Sequence, residues 1–245
     1  MLAESCKTCA FSSWSFGEEG APKTQLLKST ISSEKQEVVG DFSFCARISP
    51  TADELFGSLG VYSNPGTKEH VVIVSVRPER NTGGSKFEIL LDGEMNVYIS
   101  EQAAETGWIC LIRNGAKATL RYNEEALDVI TNPSSGSSIK TGGELVSGQG
   151  FQGTLEDVFM VNFAVDYESL EESERCFEEG QLFAALRMED LVTSLGDVNF
   201  NERKSTALEF LPRHLSRKVR VSSPRFFLTN NHVICFSCSN SSNFT

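Results

Sequence analysis

The chain has 245 residues, of which 40% are hydrophobic and 22% are charged, a composition typical of a folded domain with a sizeable core. Its formal net charge is −11, which argues against a nucleic-acid backbone or an anionic membrane surface as the main partner. No apolar run in the sequence approaches the ~18 residues that a membrane-spanning helix needs, so we expect no membrane insertion.

The first half of the chain predicts strands. Residues 42–48 alternate apolar with small or polar residues, as a half-buried strand does. Residues 71–76 are a nearly continuous β-branched run, which is typical of an inner strand. Residues 87–91 and 96–99 are separated by an Asp-Gly turn at residues 92–93, so this pair predicts a β-hairpin.

A second hairpin is predicted from residues 108–113 and 118–122, because the Asn-Gly pair at residues 114–115 favours a tight turn between them. A loop rich in Pro, Ser and Gly covers residues 132–143. The segment 153–163 then predicts the last long strand.

The remaining segments predict little regular structure. Residues 166–174 indicate a turn into a short acidic helix, and residues 183–191 indicate a short amphipathic helix. Residues 181–245 contain eight Lys/Arg against five Asp/Glu and form a partly irregular, mildly basic tail. The basic stretch 213–225 within it is either a contact for an acidic partner or a solvated linker.

Many short strands at roughly 8 to 12 residue spacing, with little helix between them, predict an all-β antiparallel sandwich. We place this domain at residues 10–180 and the tail at residues 181–245. Cys45 and Cys110 lie in two of the strand patterns and could face one another across neighbouring strands, either as a staple or as two buried free thiols. Trp14 and Trp108 both read as core residues.

Cysteine usage and the N-terminal sequence point to different compartments. Seven cysteines are many for a cytosolic chain and favour an oxidising, extracellular or secreted location. The first residues have neither the basic nor the apolar region of a signal peptide, so the chain is either not secreted or lacks that segment. Five cysteines have no pairing assigned from the sequence: Cys6, Cys9, Cys176, Cys235 and Cys238.

Several of these patterns together resemble a known family. The Phe-Ser-Phe-Cys strand at residues 42–45, the Trp-Ile-Cys strand at 108–110 with a hairpin directly after it, and Gly-Thr-Leu-Glu-Asp-Val at 153–158 are similar to pentraxins, and more broadly to laminin G-like and concanavalin A-like jelly rolls. The resemblance covers roughly residues 14–180. It implies a two-sheet jelly roll and a disulfide joining Cys45 to Cys110.

The family resemblance also implies a calcium site, from which this sequence departs. Pentraxins hold calcium through carboxylates and amides in two loops. In the first, the family's Asp-Asn pair is replaced by residues 66–70, where Glu69 is the only possible oxygen ligand and lies beside Lys68. In the second, residues 148–153 replace a long acidic loop. We therefore expect no bound calcium and no other cofactor.

No catalytic pattern is evident in the sequence. Glu156 and Asp157 are adjacent on a predicted strand, so they point to opposite faces unless the strand contains a bulge. Retaining jelly-roll glycosidases need two carboxyl groups ~5 Å apart, but the positions two and four after Glu156 are Val158 and Met160. We expect neither an enzyme nor catalytic residues.

The sequence patterns for a metal site and for a Ser-His-Asp catalytic triad are as weak as those for a glycosidase site. The pairs Cys6/Cys9 and Cys235/Cys238 have the spacing of zinc knuckles, with His232 close by, but 225 residues separate the pairs. Terminal disulfides or free thiols are the favoured alternative. No Gly-x-Ser-x-Gly elbow accompanies the histidines, which read as surface or packing residues: His70, His214 and His232.

The sequence thus predicts a non-catalytic recognition domain that binds a glycan or an extracellular protein through its rim loops. An alternative is a structural or protein-interaction domain of a larger extracellular assembly without a small ligand. The few aromatic residues in the predicted loops favour the alternative, because sugar-binding surfaces use exposed aromatic rings. A glycosidase-like enzyme or an inactive relative of one is a third possibility. The sequence identifies no ligand-binding residues and leaves the oligomeric state open.

Overall fold

A computed structural model describes the chain over residues 7–10, 12–17, 25–31, 36–51, 57–79, 81–132, 138–170, 176–178, 180–195 and 198–200. These residues are nearly all β-strand, with short 3-10 helices at Tyr167–Ser169 and Met188–Asp190. The described strands, in chain order, are β1 Lys7–Cys9, β2 Ser13–Phe16, β3 Leu26–Ser29, β4 Val38–Val39, β5 Phe42–Pro50, β6 Gly57–Ser63, β7 His70–Pro78, β8 Ser85–Leu91, β9 Glu94–Ser100, β10 Gly107–Asn114, β11 Lys117–Tyr122, β12 Glu125–Val129, β13 Ile139–Lys140, β14 Glu144–Ser147, β15 Gly153–Val161, β16 Cys176–Glu178, β17 Leu182–Ala185, β18 Leu191–Leu195 and β19 Asn199–Phe200.

Two large antiparallel sheets make up the predicted sandwich. The eight-stranded sheet has the order β12-β11-β10-β5-β15-β2-β19, with β17 also paired to β15. The seven-stranded sheet has the order β18-β3-β14-β6-β7-β8-β9. Aromatic pairs connect the two sheets across the core: the ring centroids of Tyr62 and Phe183 are 5.6 Å apart, and those of Phe87 and Tyr122 are 5.2 Å apart. The alternating inward residues of both sheets form one continuous hydrophobic core.

Both hairpins predicted from the sequence are confirmed. β8 pairs with β9 through the turn at Asp92 and Gly93, whose φ angles of 52° and 75° lie in the left-handed region that suits a tight hairpin turn. β10 pairs with β11 through a turn in which Gly115 has a φ of 61°. The buried strand positions of Trp14 and Trp108, each 3% exposed, are confirmed as well.

The short amphipathic helix expected over residues 183–191 is wrong. This segment contains strand β17, whose four residues are all buried against β15, followed by a 3-10 turn and the start of β18. The apolar residues fit one face of a helix, but pairing to a sheet buries every residue of β17 and satisfies its backbone hydrogen bonds. Strands β17 to β19 continue the sheets beyond residue 180, where the sequence placed the start of the tail.

The acidic helix expected over residues 166–174 is observed only as the 3-10 turn Tyr167–Ser169, and residues 171–175 lie outside the described residues. The interpretations of the basic stretch 213–225 and of the C-terminal cysteines and histidines also fall outside them. Among the described helices, none has both the length and the apolar character required to cross a bilayer.

Among the described residues, two disulfides staple the sandwich. Cys45 on β5 lies directly opposite Cys110 on β10 and is bonded to it, as the family resemblance implied; both residues are completely buried. The second bond joins Cys9 on β1 to Cys176 on β16, two cysteines whose pairing the sequence left open. Because Cys9 is used in this bond, it cannot supply a thiolate to the four-cysteine zinc site considered from the sequence.

A second, smaller hydrophobic cluster lies around the buried disulfide. It includes Trp108 and Phe159, and Phe177 of β16 packs against it with its ring centroid 5.1 Å from that of Phe159. Tyr167 closes one side, its hydroxyl donating to the Trp108 carbonyl oxygen at 2.9 Å. This face of the eight-stranded sheet is therefore covered by the chain itself.

Candidate binding surface

The turn between β6 and β7 contains residues 66–70, where the family resemblance led us to expect the first calcium loop. Asn64, a potential oxygen ligand, is hydrogen-bonded to the neighbouring loop. Its amide donates to the Ser138 carbonyl oxygen at 2.6 Å, and its side-chain oxygen accepts the Lys140 N–H at 2.8 Å. Glu69 is exposed in this turn. Across the described residues, no group of three or more His, Cys, Asp or Glu side chains lies close enough together to hold a metal ion.

Residues 148–153, where the resemblance led us to expect the second calcium loop, are folded onto the sandwich. The Gly148 N–H donates to the Ser58 carbonyl oxygen at 2.9 Å, and the Phe151 side chain is only 2% exposed. Gly148 has a φ of 85°, and a Cβ atom at this position would lie 2.0 Å from the Phe16 ring. Only glycine fits there, and the tight turn brings the backbone against the core.

Strand β15 has a bulge at Glu156 and Asp157, the one arrangement that could bring adjacent carboxylates together. The pairing register with β5 shifts between Glu156 and Phe159, and Asp157 has a φ of 48°. Asp157 is nevertheless completely buried, where its carboxylate accepts the Ser12 N–H at 3.0 Å and its own N–H donates to the Ser12 carbonyl oxygen at 2.9 Å. The bulge therefore anchors the segment before β2.

Glu156 is engaged separately from Asp157. One of its oxygens lies 3.8 Å from a guanidinium nitrogen of Arg47 on the neighbouring strand β5. The side chains of Val158 and Met160, which follow at the spacing that a paired glycosidase carboxylate would occupy, are completely buried. The two adjacent carboxylates thus differ in their surroundings: Asp157 is completely buried against Ser12, and Glu156 is half-buried beside Arg47.

His70, which begins β7, is exposed, and its Nδ1 lies 2.9 Å from the Ser63 hydroxyl on β6. The contact joins two neighbouring strands of the same sheet. The histidine therefore acts as a surface residue of the β6–β7 pair, as the sequence indicated.

The outer face of the seven-stranded sheet carries a transverse row of apolar side chains. Strand pairing places Met95 beside Leu90, Leu90 beside Ile73, Ile73 beside Val61, and Val61 beside Val146. Met95 is 57% exposed and the other four are half-buried. This apolar row crosses five strands, from β9 to β14.

Ion pairs flank the apolar row on the same face. Glu88 on β8 accepts from both Arg77, at 2.6 Å, and Lys86, at 3.1 Å. At the other end of the row, Lys28 on β3 is paired with Glu144 on β14. An apolar centre with a charged rim is the general arrangement of protein-binding surfaces.

The exposed side of β9 was not recognised from the sequence. Met95, Val97 and Ile99 alternate with Asn96 and Tyr98, and the general rule that apolar residues face inward would place these three in the core. The structure reverses that order: the three apolar residues are 57%, 50% and 58% exposed, whereas Asn96 is 6% exposed. The sequence feature that could have indicated this exposed face is the pair of polar side chains, Asn96 and Tyr98, on the opposite face of the same strand.

The likeness to solved structures agrees with the jelly-roll fold. The chain is similar to a native heptameric SAP-like pentraxin from Limulus polyphemus, with 16% identity and a TM-score of 0.55, covering 78% of this chain and 94% of the pentraxin. At this identity the likeness concerns the fold alone, and it confirms the pentraxin-like jelly roll expected from the sequence.

Two further structures are more distant. An alginate lyase from Pseudomonas aeruginosa has 13% identity and a TM-score of 0.32, covering 49% of this chain and 61% of the lyase. The carbohydrate-binding module CBM66 from Bacillus subtilis has 13% identity and a TM-score of 0.34, covering 65% of this chain and 98% of the module. Neither likeness bears on function. The sequence matches no protein-family model and no curated protein.

Proposed function

We propose that the chain is a non-catalytic extracellular recognition module that binds a protein ligand with the outer face of its seven-stranded sheet. The apolar row from Met95 to Val146 carries this proposal. Solvent-exposed apolar residues in a contiguous set, with charged residues around them, are the usual mark of a protein-contact surface.

The composition of this face favours a protein over a glycan. None of the outward-facing residues on the described strands of the seven-stranded sheet is aromatic; Tyr62, Phe87 and Tyr98 all project from the inner side. Sugar rings are bound by stacking on exposed aromatic rings, whereas aliphatic side chains pack well against apolar side chains of another protein. A protein ligand with its own apolar ridge is therefore the better fit.

The extracellular assignment rests on the two disulfides. Cys45–Cys110 and Cys9–Cys176 close loops of 65 and 167 residues. Bonds of this kind form and persist in oxidising compartments and are rare in the reducing cytosol. A disulfide-stapled domain is suited to display a binding face outside the cell.

The experiment compares the wild-type chain with Ile73→Lys, which places a charge at the centre of the apolar row. Both proteins are tested against an array of purified extracellular proteins and against a glycan array. We expect the wild type to bind at least one protein and Ile73→Lys to lose that binding. A control, Thr119→Lys on β11 of the other sheet, should retain it. Glycan binding that Ile73→Lys leaves intact, with no protein bound, would overturn the proposal.

An assay for enzymatic activity completes the test. We expect no release of oligosaccharides from alginate or from other acidic and neutral polysaccharides, because Glu156 and Asp157 are engaged by Arg47 and Ser12. Polysaccharide cleavage that is lost in Glu156→Gln would assign a catalytic function instead.

A further inference from the structure

Strand β9 is an edge strand without the features that normally protect such edges. Among the described strands it is the last of the seven-stranded sheet, and its pairing with β8 runs without a bulge from Glu94 to Ser100. The strand contains neither proline nor lysine. Proteins usually guard an edge with these residues or with a bulge, because open backbone groups and exposed apolar side chains recruit another strand.

The edge strands β18 and β12 of the two sheets differ from β9 in this respect. β18, at the opposite end of the same sheet, joins β3 with a register shift between Leu191 and Thr193. The edge strand β12 of the other sheet is covered by side chains from β9: the Asn96 amide donates to the Ile130 carbonyl oxygen at 3.0 Å, and the Tyr98 hydroxyl donates to the Asp128 carbonyl oxygen at 2.5 Å. β9 covers β12 in this way, while β9 itself pairs with β8 and with no other described strand.

We propose that a second copy of this chain pairs with β9 in an antiparallel arrangement about a two-fold axis at Val97. In that register Met95 faces Ile99 of the second copy, and Val97 faces its own symmetry mate. The outer face of the new strand pair is then apolar at every position, which favours cross-strand packing. Glu94, the only charged residue of β9, faces Ser100 and no charged residue of the partner's β9.

The charge distribution also fits a second copy. Two chains of net charge −11 repel one another at long range, so association requires a site where the local charge is balanced. On β8 and β7, beside β9, Arg77 and Lys86 both pair with Glu88, so this cluster carries no excess of negative charge. We therefore expect self-association to strengthen as salt screens the long-range repulsion.

The expected contact is small. Stable complexes typically bury about 1,600 Å² in total, and a single seven-residue strand pair lies at the low end of specific interfaces. The seven-stranded sheets of two copies would join into one continuous sheet, and the apolar rows on their outer faces would extend away from the joined edge in opposite directions. The inference does not depend on the proposed function, because pairing uses the edge of β9 and leaves the middle of the row accessible.

The first test is sedimentation of the full-length chain over a range of concentrations. We expect a monomer–dimer equilibrium, and an affinity at least about tenfold weaker in Val97→Lys because each lysine would face its symmetry mate. The matched control is Val192→Lys, an exposed valine (61%) on the opposite edge strand β18. A monomeric wild type, a dimer unaffected by Val97→Lys, or equal weakening by both substitutions would overturn the proposal. Circular dichroism confirms that each variant is folded.

A cross-link tests the register directly. Directly opposite residues of antiparallel strands have Cα atoms about 4.5 to 5.5 Å apart, a separation that a disulfide spans. Val97→Cys should therefore form a 97-to-97 disulfide between two chains on mild oxidation, identified by peptide mass spectrometry, and Val192→Cys should form no 192-to-192 disulfide. Pairing of β9 with the C-terminal segment of its own chain instead would leave Val97→Cys monomeric and would overturn the two-fold arrangement.

Discussion

The side chain of Asn96 on β9 forms a pair of hydrogen bonds with the backbone of Ile130, which follows β12. Its amide donates to the Ile130 carbonyl oxygen at 3.0 Å, and its side-chain oxygen accepts the Ile130 N–H at 2.9 Å. A single amide side chain thereby imitates a strand-to-strand contact and ties the edges of the two sheets together. This contact explains why a polar residue occupies the inner side of β9 while apolar residues face solvent.

Replacing Asn96 should therefore destabilise the sandwich. We expect Asn96→Ala to lower the free energy of unfolding by about 1 to 3 kcal/mol, because both hydrogen bonds to Ile130 are lost at a nearly buried position. Urea unfolding measures the change. The control is Asn132→Ala, whose side chain makes an exposed contact with Glu94 at 3.3 Å and should cost less than about 0.5 kcal/mol. Equal effects of the two substitutions would contradict the role given to Asn96.

Local patterns predicted the strands and hairpins well, because they depend on neighbouring residues. The turns at Gly93 and Gly115 specify their hairpins within a few residues of chain. Residues 183–191 were misassigned because the apolar residues there fit a helix face and a sheet-paired strand equally well. Only the pairing of β17 with β15, more than twenty residues earlier, decides between them.

The candidate site was harder to predict than the fold. The apolar row, which is exposed at Met95 and half-buried elsewhere, joins residues from five strands that are up to 85 positions apart in the chain, Val61 and Val146 among them. No local pattern contains such a row, since it exists only once the sheet register is set. The Cys9–Cys176 bond could not be predicted from a local pattern either. Its two cysteines meet because β1 pairs with β16, and these strands are far apart in the sequence.

The two disulfides should differ in their reaction with reductant. Cys9 and Cys176 are partly exposed, whereas Cys45 and Cys110 are completely buried. Because exchange requires a thiolate to reach a sulfur atom, a graded dithiothreitol series should open Cys9–Cys176 first, while the native fold persists. Alkylation followed by peptide mass spectrometry reports the order. Opening of Cys45–Cys110 first would show that the interior is accessible.

Removal of the buried bond should cost considerable stability. In the chain-entropy account, closing a loop of 65 residues stabilises the fold by about 4 kcal/mol. We expect the Cys45→Ala/Cys110→Ala double variant to unfold at a lower urea concentration by a corresponding amount. The comparison variant is Cys9→Ala/Cys176→Ala. It removes the disulfide that closes the longer loop but leaves the main core intact. A buried-bond variant as stable as the wild type would contradict the staple role.

Stability should fall at alkaline pH because of Tyr62. Burial raises the pKa of its hydroxyl from 10.0 to about 12, and the hydroxyl donates to the Lys140 carbonyl oxygen at 2.6 Å. A folded-state pKa above the unfolded one means that the stabilisation is complete below about pH 10 and is lost as the pH rises towards about 12. The shift corresponds to about 2 to 3 kcal/mol.

The measurement is urea unfolding of the wild type and Tyr62→Phe at several pH values between about 9 and 12. Tyr62→Phe should be less stable at neutral pH, because the Lys140 carbonyl oxygen and the Gly143 N–H lose their partner. Its stability should also fall less steeply above pH 10. Burial also raises the pKa of Tyr98, Tyr122 and Tyr167, so the difference between the two proteins isolates Tyr62. Parallel pH profiles would contradict the assignment.

Calcium should not raise the unfolding midpoint of this protein. The side-chain oxygen of Asn64 is occupied by the Lys140 N–H, and Gly148 and Phe151 fold the second loop against the core, so the oxygen ligands that calcium requires are not assembled. Thermal unfolding with calcium or with chelator checks this, because a ligand of the native state raises the midpoint in proportion to the logarithm of its concentration above the dissociation constant. A concentration-dependent rise that Glu69→Gln removes would show that the first loop rearranges to bind the ion.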